Sequence, residues 1–439
     1  MGIRVYLTCL VGFLGAIGSA QQILSTDAAV KLTLEHNYGI KIATNTVEIA
    51  DNNQGVLNSG YLPTLTGNAG ASIDVQNTEG QLANGDTRVA EGAETRRYNA
   101  SINLNYTLFD GLGRLYNYRR LKEQYQLSEL EARETIETTM LQMFTIYYSI
   151  AQLSENTDAL EQTLEISKER LTRAGYQFDY GQNTRLEVLN AEVDINNDSI
   201  NLINIRQQLR NTKRDLNVVM GNAYAEDFKV NTDLNFLLQL DKETLLEKMK
   251  ANNVTLLQTQ SNININQFDI KTSKAQFLPT VGLVGSYGWN ESNNNSPLAF
   301  TLQNTSTGVS AGLNLTWNLF DGGSTITQVK NAKILLENQK LQQEQLILDI
   351  ERNFNNAWDD YQNKLVIYRV QEENIKTSEN NFERTQEKFK LGQVTSIEFR
   401  QAQLNLLNAE LTRNQAKYDA KLAELTVLQI SGELLNIQL

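Results

Sequence analysis

The sequence predicts a mixed α+β protein in which a membrane β-barrel, four strands per chain, is continued by a long α-helical coiled coil. Three observations support this fold class: two copies of one unit in the chain, segments that alternate between apolar and polar residues, and long stretches without proline. Only 3 of the 439 residues are proline, and hydrophobic residues make up 41%. We therefore expect long uninterrupted elements with largely polar surfaces.

The first twenty residues predict a secretory signal peptide. Arg4 precedes an apolar run of about thirteen residues, and small residues end at Ala20. A retained membrane anchor is the weaker alternative, because a spanning helix needs roughly twenty apolar residues. Cleavage after Ala20 removes Cys9, the only cysteine, and leaves 51 acidic side chains against 38 basic ones. We expect an acidic chain without disulfides that works outside the cytoplasm.

Internal repetition fixes the domain organisation. Tyr61–Leu65 recurs 216 residues later as Phe277–Val281, and the Phe-Asp-Gly turn at 109–111 recurs 211 residues later at 320–322. From that turn onward the two halves run without a gap. The sequence therefore predicts a signal peptide and two repeats joined by a linker. These segments are 1–20 (signal peptide), 21–221 (repeat 1), 222–240 (linker), 241–432 (repeat 2) and 433–439 (C-terminal tail).

Four segments alternate with period two, the third more loosely than the others, and predict β-strands near 64–77, 98–109, 280–290 and 308–320. A soluble antiparallel sheet alternates in the same way. However, the segments match the length of strands that cross a bilayer, and aromatic residues such as Tyr98 and Trp317 lie near their ends. We expect polar loops at 78–97 and 291–305. Four strands cannot close a barrel, so a membrane barrel requires several copies of the chain.

Each Phe-Asp-Gly turn precedes a proline-free stretch, 114–179 or 325–390, that predicts a helix roughly 100 Å long. Return helices are predicted at 184–220 and 395–431, and further helices at 26–59 and 243–275. In the second return helix, apolar residues recur every seven positions and predict a coiled-coil seam. The seam residues are Ile397, Leu404, Leu411, Tyr418 and Leu425.

Composition disfavours most other classes. A sequence pI near 4.9 without a basic block argues against nucleic acid as a partner. One histidine, His36, and one cysteine are too few for His-based triads or His/Cys zinc sites. We therefore expect no enzyme, no cofactor and no metal site. The alternative function is a secreted coiled-coil structural or adhesive protein of the cell envelope, which has no need for four strands of bilayer length.

The order helix, Leu-Pro, two strands, Phe-Asp-Gly, long helix, glycine-containing tip and return helix, occurring twice, resembles the TolC-like outer membrane factor family. The resemblance covers essentially the whole mature chain. It implies a homotrimer whose twelve strands form a barrel in the lipid of a Gram-negative outer membrane and whose helices form a periplasmic tunnel. It also implies a passive exit duct of a tripartite efflux pump or type I secretion system, with a periplasmic adaptor protein and an inner-membrane transporter as partners.

The resemblance further implies two sets of site residues at the helical tips. Adaptor docking falls on Tyr180, Gly181 and Gln182 at the first tip and on Leu391, Gly392 and Gln393 at the second. The periplasmic aperture falls on Glu187 and Glu398, with Asn190 and Gln401 at a further position that is acidic in some members. The alternative for the glycines is a purely conformational role in the turns. The alternative for the two acids is stabilisation of helix N-termini.

Overall fold

A computed structural model describes residues 23–221, 228–237, 240–296 and 298–436. The predicted signal peptide and parts of the predicted linker lie outside the described residues. In chain order the elements are β1 (Ile23–Leu24), α1 (Thr26–His36), α2 (Tyr38–Gln54), β2 (Thr64–Gln81), β3 (Thr87–Asp110), α3 (Gly113–Asp179), α4 (Arg185–Met220), β4 (Lys229–Val230), α5 (Lys242–Asn252), α6 (Val254–Ala275), β5 (Thr280–Asn294), β6 (Gln303–Thr316), α7 (Ser324–Lys390) and α8 (Ser396–Ile430).

The chain divides into two compact units. The tip unit contains the described residues of Met1–Lys41, Thr135–Lys250 and Glu351–Leu439, and the sheet unit contains those of Ile42–Glu134 and Ala251–Ile350. The α3–α4 and α7–α8 turns lie in the tip unit, and the four long strands lie in the sheet unit. Among the helices of the described ranges, none has the length and hydropathy needed to cross a membrane.

The sheet follows the order β2-β3-β5-β6 and is antiparallel throughout. Both repeats use the same hairpin register, since Leu65 faces Leu104 in the first and Val281 faces Leu315 in the second. These partners are related by the same separations, 216 and 211 residues, that the sequence repeat shows. The predicted duplication and the α+β fold class are therefore confirmed.

The two faces of the sheet differ in polarity. Cross-strand partners such as Ile102 and Tyr287 share one face, which is largely apolar and solvent-exposed in the single chain. The opposite face carries mainly Asn, Ser, Thr and Gly, together with an ion pair between Arg97 and Asp74. A continuous exposed apolar face marks a surface that meets lipid or another apolar partner.

The strands differ in extent from the predicted ones. Residues 78–97, expected as a loop, mostly extend the β2–β3 hairpin, whose turn lies at 82–86. Main-chain pairing needs no apolar side chains, so a polar segment can continue the ladder. At the other end, β6 stops at Thr316, whereas the predicted strand ran to 320. Trp317 instead donates its indole N–H to the Phe277 carbonyl at 3.1 Å.

The Phe-Asp-Gly motif begins the long helices. The Asp110 carboxylate accepts the Arg114 amide N–H at 2.9 Å, and the Asp321 carboxylate accepts the Thr325 amide N–H at 2.8 Å. A side-chain acceptor at this place satisfies a backbone donor that has no partner within the helix. The motif is therefore a repeated strand-to-helix cap.

In the tip unit, α8 holds an extended segment of the linker, which we call the strap (residues 231–237). Lys417 and Lys421 donate to the strap carbonyls of Thr232 and Asn235 at 2.9 and 2.8 Å. Glu424 accepts the Leu237 amide at 3.1 Å and pairs with Lys421 at 2.5 Å. Burial raises the pKa of Glu424. The part of α8 beside the strap is therefore tightly packed.

The predicted seam of α8 is only partly correct. Tyr418 and Leu425 are buried, as are Leu407 and Leu428, but Ile397 is 70% exposed. Ile397 lies in the first turn of α8, where the helix has just left the α7–α8 turn. At this end Phe399 fills the interior instead, stacked on Phe389 with ring centroids 4.6 Å apart.

Candidate functional site at the hairpin tips

Both hairpin tips have the same backbone turn. Gly181 and Gly392 have φ values of 70° and 71°, which residues with a side chain rarely adopt. One residue further on, the Gln182 and Gln393 amides each donate back into the last turn of the preceding helix at 2.8 Å. These bonds satisfy terminal carbonyls and end the long helices. The conformational role of both glycines is thus observed directly.

The residues beside the glycines project into solvent. Tyr180 is 79% exposed and Leu391 is 72% exposed, and Gln182 and Gln393 are exposed as well. Each tip therefore presents one large apolar side chain and one amide. Exposed apolar side chains at a rigid turn are suited to contact with a partner protein.

The two predicted aperture acids have different environments. Glu398 forms a capping box with Thr395: its carboxylate accepts the Thr395 amide at 2.8 Å, and the Thr395 hydroxyl accepts the Glu398 amide at 3.2 Å. These hydrogen bonds lower the pKa of Glu398. The corresponding Thr184 makes no side-chain cap. Oε2 of Glu187 is buried without a hydrogen-bond partner among the described residues.

Three of the four predicted aperture residues line one groove. Glu187 and Asn190 of α4 and Gln401 of α8 border a groove of about 380 Å³. Arg170 of α3 and Arg400 of α8 line the same groove. The structure thus places residues from both repeats together here, whereas the Glu398 carboxylate is engaged at the start of its own helix.

A buried ionic network, some of whose members line the groove, joins the two hairpins. Arg400 of α8 pairs with both carboxylate oxygens of Asp198 of α4, at 2.7 and 2.9 Å. Ser167 of α3 donates to Asp198 at 2.7 Å, and Arg170 of α3 pairs with Asp194 of α4. Asp198 is 1% exposed. Charges buried in this way are stable only when paired.

Neither Asp194 nor Asp198 was identified from the sequence as a residue of the site. Asp194 and Asp198 are spaced i, i+4, which places both carboxylates on one face of α4. This spacing of two acids in a helix that packs against other helices is the sequence feature that could have indicated the buried ion pairs.

Aromatic packing completes the tip. Phe389 and Phe399 stack beside Phe382, and the Arg173 guanidinium lies 5.1 Å from the Phe389 ring centroid. Arg173 also donates to the Lys390 carbonyl at 2.8 Å, near the C-terminal end of α7. Across the described part of the chain, no group of three His, Cys, Asp or Glu side chains is arranged to hold a metal ion.

Comparison with known proteins identifies relatives along almost the whole chain. The model of the family described as "Outer membrane efflux protein" matches residues 29–222 and 245–433. The outer membrane efflux protein BepC of Brucella suis is 22% identical over 97% of this chain and 89% of its own length. Two solved structures align with a TM-score of 0.76: the CmeC outer membrane channel of Campylobacter jejuni (18% identity, 93% of this chain, 86% of CmeC) and a Pseudomonas aeruginosa membrane protein (17% identity, 93% and 90%).

Proposed function

The chain belongs to the outer membrane efflux protein family and is an outer-membrane protein, and we propose that it forms a homotrimeric exit duct that passively conducts substrates out of the cell. The observation that carries this proposal is the sheet. It has an exposed apolar face, a polar face, and two outer strands, β2 and β6, each with one edge unpaired within the described chain. In lipid such edges must pair, so a ring of copies satisfies both faces and both edges.

Apolar helix surfaces in the sheet unit support the same assembly. Ile42, Ile49 and Val56, on α2 and the turn after it, are exposed and seven residues apart. Ile334, Leu341 and Leu348 on α7 are also exposed and seven residues apart. Heptad spacing of exposed apolar residues is typical of helices that pack against a partner helix. Twelve strands from three copies exceed the eight of the smallest barrels.

We assign the tips to a periplasmic adaptor protein that connects the duct to an inner-membrane transporter, in an efflux pump or a type I secretion system. The docking residues are Tyr180, Gly181 and Gln182 with Leu391, Gly392 and Gln393. Their exposed apolar side chains on glycine-fixed turns support this role. The names of BepC and CmeC describe those proteins as an efflux protein and an outer membrane channel, in keeping with such a role here.

We assign the aperture to the acidic ring around Glu187 and Glu398, with Asn190 and Gln401 as neutral neighbours. In a trimer, six carboxylates near one axis would repel each other unless cations bridge them. Replacing Glu187 and Glu398 together by Gln should weaken block by multivalent cations from the periplasmic side and change the resting conductance. Gln at 398 preserves the capping box. Unchanged block and conductance would return both acids to a purely structural role.

The proposed function is tested by mass measurement in detergent and by single-channel recording in planar bilayers. We expect a trimer that conducts. Trimers with Tyr180→Ser and Leu391→Ser should still conduct but lose crosslinking to the adaptor, which separates docking from conduction. A stable monomer without conductance, or recovery of the chain in the soluble periplasm, would refute the duct.

A further inference from the structure

We infer that β6 of one copy pairs antiparallel with β2 of the next in a single register, which places Leu313 opposite Ala71 of the partner subunit. The inference rests on the proposed assembly and goes beyond it, because it names the residues that close the barrel.

The template for this contact lies within the chain. β3 is the second strand of repeat 1 and β5 is the first strand of repeat 2, so their pairing joins one repeat to the next. A closed ring of repeats requires the equivalent contact between β6 and β2 of the next copy. Residues of β3 correspond to those of β6 211 positions later, and residues of β5 correspond to those of β2 216 positions earlier.

Adding 211 to the β3 residue of an observed β3–β5 pair, and subtracting 216 from its β5 residue, gives the pair expected between β6 and β2 of the next copy. Ile102 faces Tyr287 within the chain, so Leu313 faces Ala71 of the partner subunit. The pairs Leu104–Gly285 and Ala100–Trp289 likewise give Leu315–Ala69 and Ala311–Ile73 across the interface.

The polarity of the faces provides an independent check. From Val309–Val75 to Leu315–Ala69, each expected pair on the apolar face joins two apolar residues, as Leu313 and Ala71 are. On the polar face, Asn314 meets Gly70 and Ser310 meets Asp74. A shift by one residue would bring each apolar side chain to the polar face. The register of the β3–β5 pair therefore also brings the apolar faces of β6 and β2 together.

The helices of the sheet unit provide a second check. Within the chain, Asn264 and Gln258 of α6 donate to Glu123 and Glu134 of α3 at 3.1 and 2.8 Å. The same separations place Ile334 of α7 beside Glu48 of the partner subunit, and Gln345 beside Ile42. The two exposed heptad surfaces then meet, with Ile334 near Ile49 and Leu341 near Ile42 of the partner subunit.

The tip unit gives a third check. Asn414 of α8 donates to Asn156 of α3 at 2.8 Å, and both side chains are buried. Because the return helices are related by 211 residues, this pair becomes Ile203 of α4 and Ile367 of α7 between copies. Both isoleucines are exposed in the single chain. The polar contact between Asn414 and Asn156 within the chain thus corresponds to an apolar contact between Ile203 and Ile367 in neighbouring copies. Such a contact would remove both exposed isoleucines from water.

Cysteine crosslinking tests the register, since the mature chain has no cysteine of its own. Facing residues have Cα atoms about 4.5–5.5 Å apart, within the reach of a disulfide. The variant Leu313→Cys/Ala71→Cys, oxidised in membranes, should give a covalent trimer on a denaturing gel. The matched control Leu313→Cys/Val75→Cys displaces one partner by four residues, roughly 14 Å, and should give at least about tenfold less product.

Two further variants keep the test decisive if this pair disturbs insertion. Leu315→Cys/Ala69→Cys and Ala311→Cys/Ile73→Cys test the same register at the two neighbouring pairs of the apolar face. Faster linking of Leu313→Cys to a cysteine at 69 or 73 than to one at 71, in a preparation that is trimeric, would overturn the register and leave the duct intact. A chain that stays monomeric would overturn the duct itself.

Discussion

Replacing Arg400 by Met should loosen the tip of α8 more than any exposed charge change nearby. The variant retains most of the aliphatic volume of the side chain but removes the guanidinium that binds both oxygens of Asp198. Asp198 is almost fully buried, and only the Ser167 hydroxyl would remain as its observed donor.

The expected magnitude follows from the burial of the pair. Removing one partner of a buried ion pair costs about 3–5 kcal/mol, because the remaining charge is left without compensation. Asp198→Asn should cost less, since Arg400 is only partly buried and keeps Asp194 within 3.7 Å. The double change Arg400→Met/Asp198→Leu should recover much of the loss, because replacing both charges by apolar groups is often neutral.

Amide hydrogen exchange at the start of α8 is the appropriate assay, since local opening can be measured without unfolding the assembly. A loss of 3 kcal/mol corresponds to exchange roughly a hundredfold faster, from about 1.4 kcal/mol per factor of ten. Arg185→Met, which removes an exposed arginine at the start of α4, serves as the control and should change exchange little. Exchange within about threefold of the parent in Arg400→Met would refute the reasoning. So would a loss in Arg400→Met/Asp198→Leu equal to the sum of the losses in Arg400→Met and Asp198→Leu alone.

Gly111→Ala should abolish trimer formation, because a Cβ there would lie 2.5 Å from the Ala275 carbonyl oxygen. The equivalent change Gly322→Ala meets open space and should cost only about 1–2 kcal/mol of backbone strain. Equal trimer yields of the two variants on gels would contradict this prediction. Lys421→Met should destabilise the strap by about 3–5 kcal/mol at neutral pH, because buried Glu424 loses its partner. Because the pKa of Glu424 is raised in the folded state, stability falls as pH rises above the ordinary carboxyl value of 4.5, so protease resistance of the strap should return on acidification and not on alkalinisation. The trimer should prefer cations in planar bilayers, because each chain carries 51 acids against 38 bases once the predicted signal peptide is removed; anion selectivity at moderate salt would argue against acids in the lumen.

Those parts of the fold that depend on local pattern could be predicted from the sequence. The duplication is visible as two fixed separations, and the alternation of apolar residues identifies each strand because side chains alternate across a sheet. The predicted tip glycines also match the structure, since a left-handed turn between two helices needs glycine whatever packs around it. The ends of the strands were less predictable, because main-chain pairing at 78–97 continues without an apolar signal.

Contacts between distant segments could not be predicted. Arg400 and Asp198 are 202 residues apart, and nothing in either local sequence specifies the other as its partner. Glu398 shows a related difficulty, because a glutamate at this position can either cap a helix or line an aperture. An acid three residues after a threonine fits a capping box as well as an aperture, and only the structure shows that the Glu398 carboxylate is engaged by Thr395.

In a ring of copies, the alignment between neighbouring chains can be fixed either by strand pairing or by helix packing, and the duplicated chain indicates which of the two fixes it. Inside the chain, the helix contact near the strap is fixed by directional bonds such as Asn414 to Asn156. The equivalent contact between copies, Ile203 with Ile367, is apolar, and apolar contact has no preferred direction. Helices joined in this way can slide by a fraction of a turn at little cost, whereas a strand pair cannot shift by one residue without exchanging its two faces. The register between copies must therefore be set in the sheet and transmitted to α7, which begins only eight residues after the last residue of β6. A disulfide between Leu313→Cys and Ala71→Cys of the partner subunit should for this reason also increase the yield of a link between Ile334→Cys of α7 and Ile49→Cys of the partner subunit, within the sheet unit. A disulfide between the two helices should leave the sheet register free to be set by its own strands.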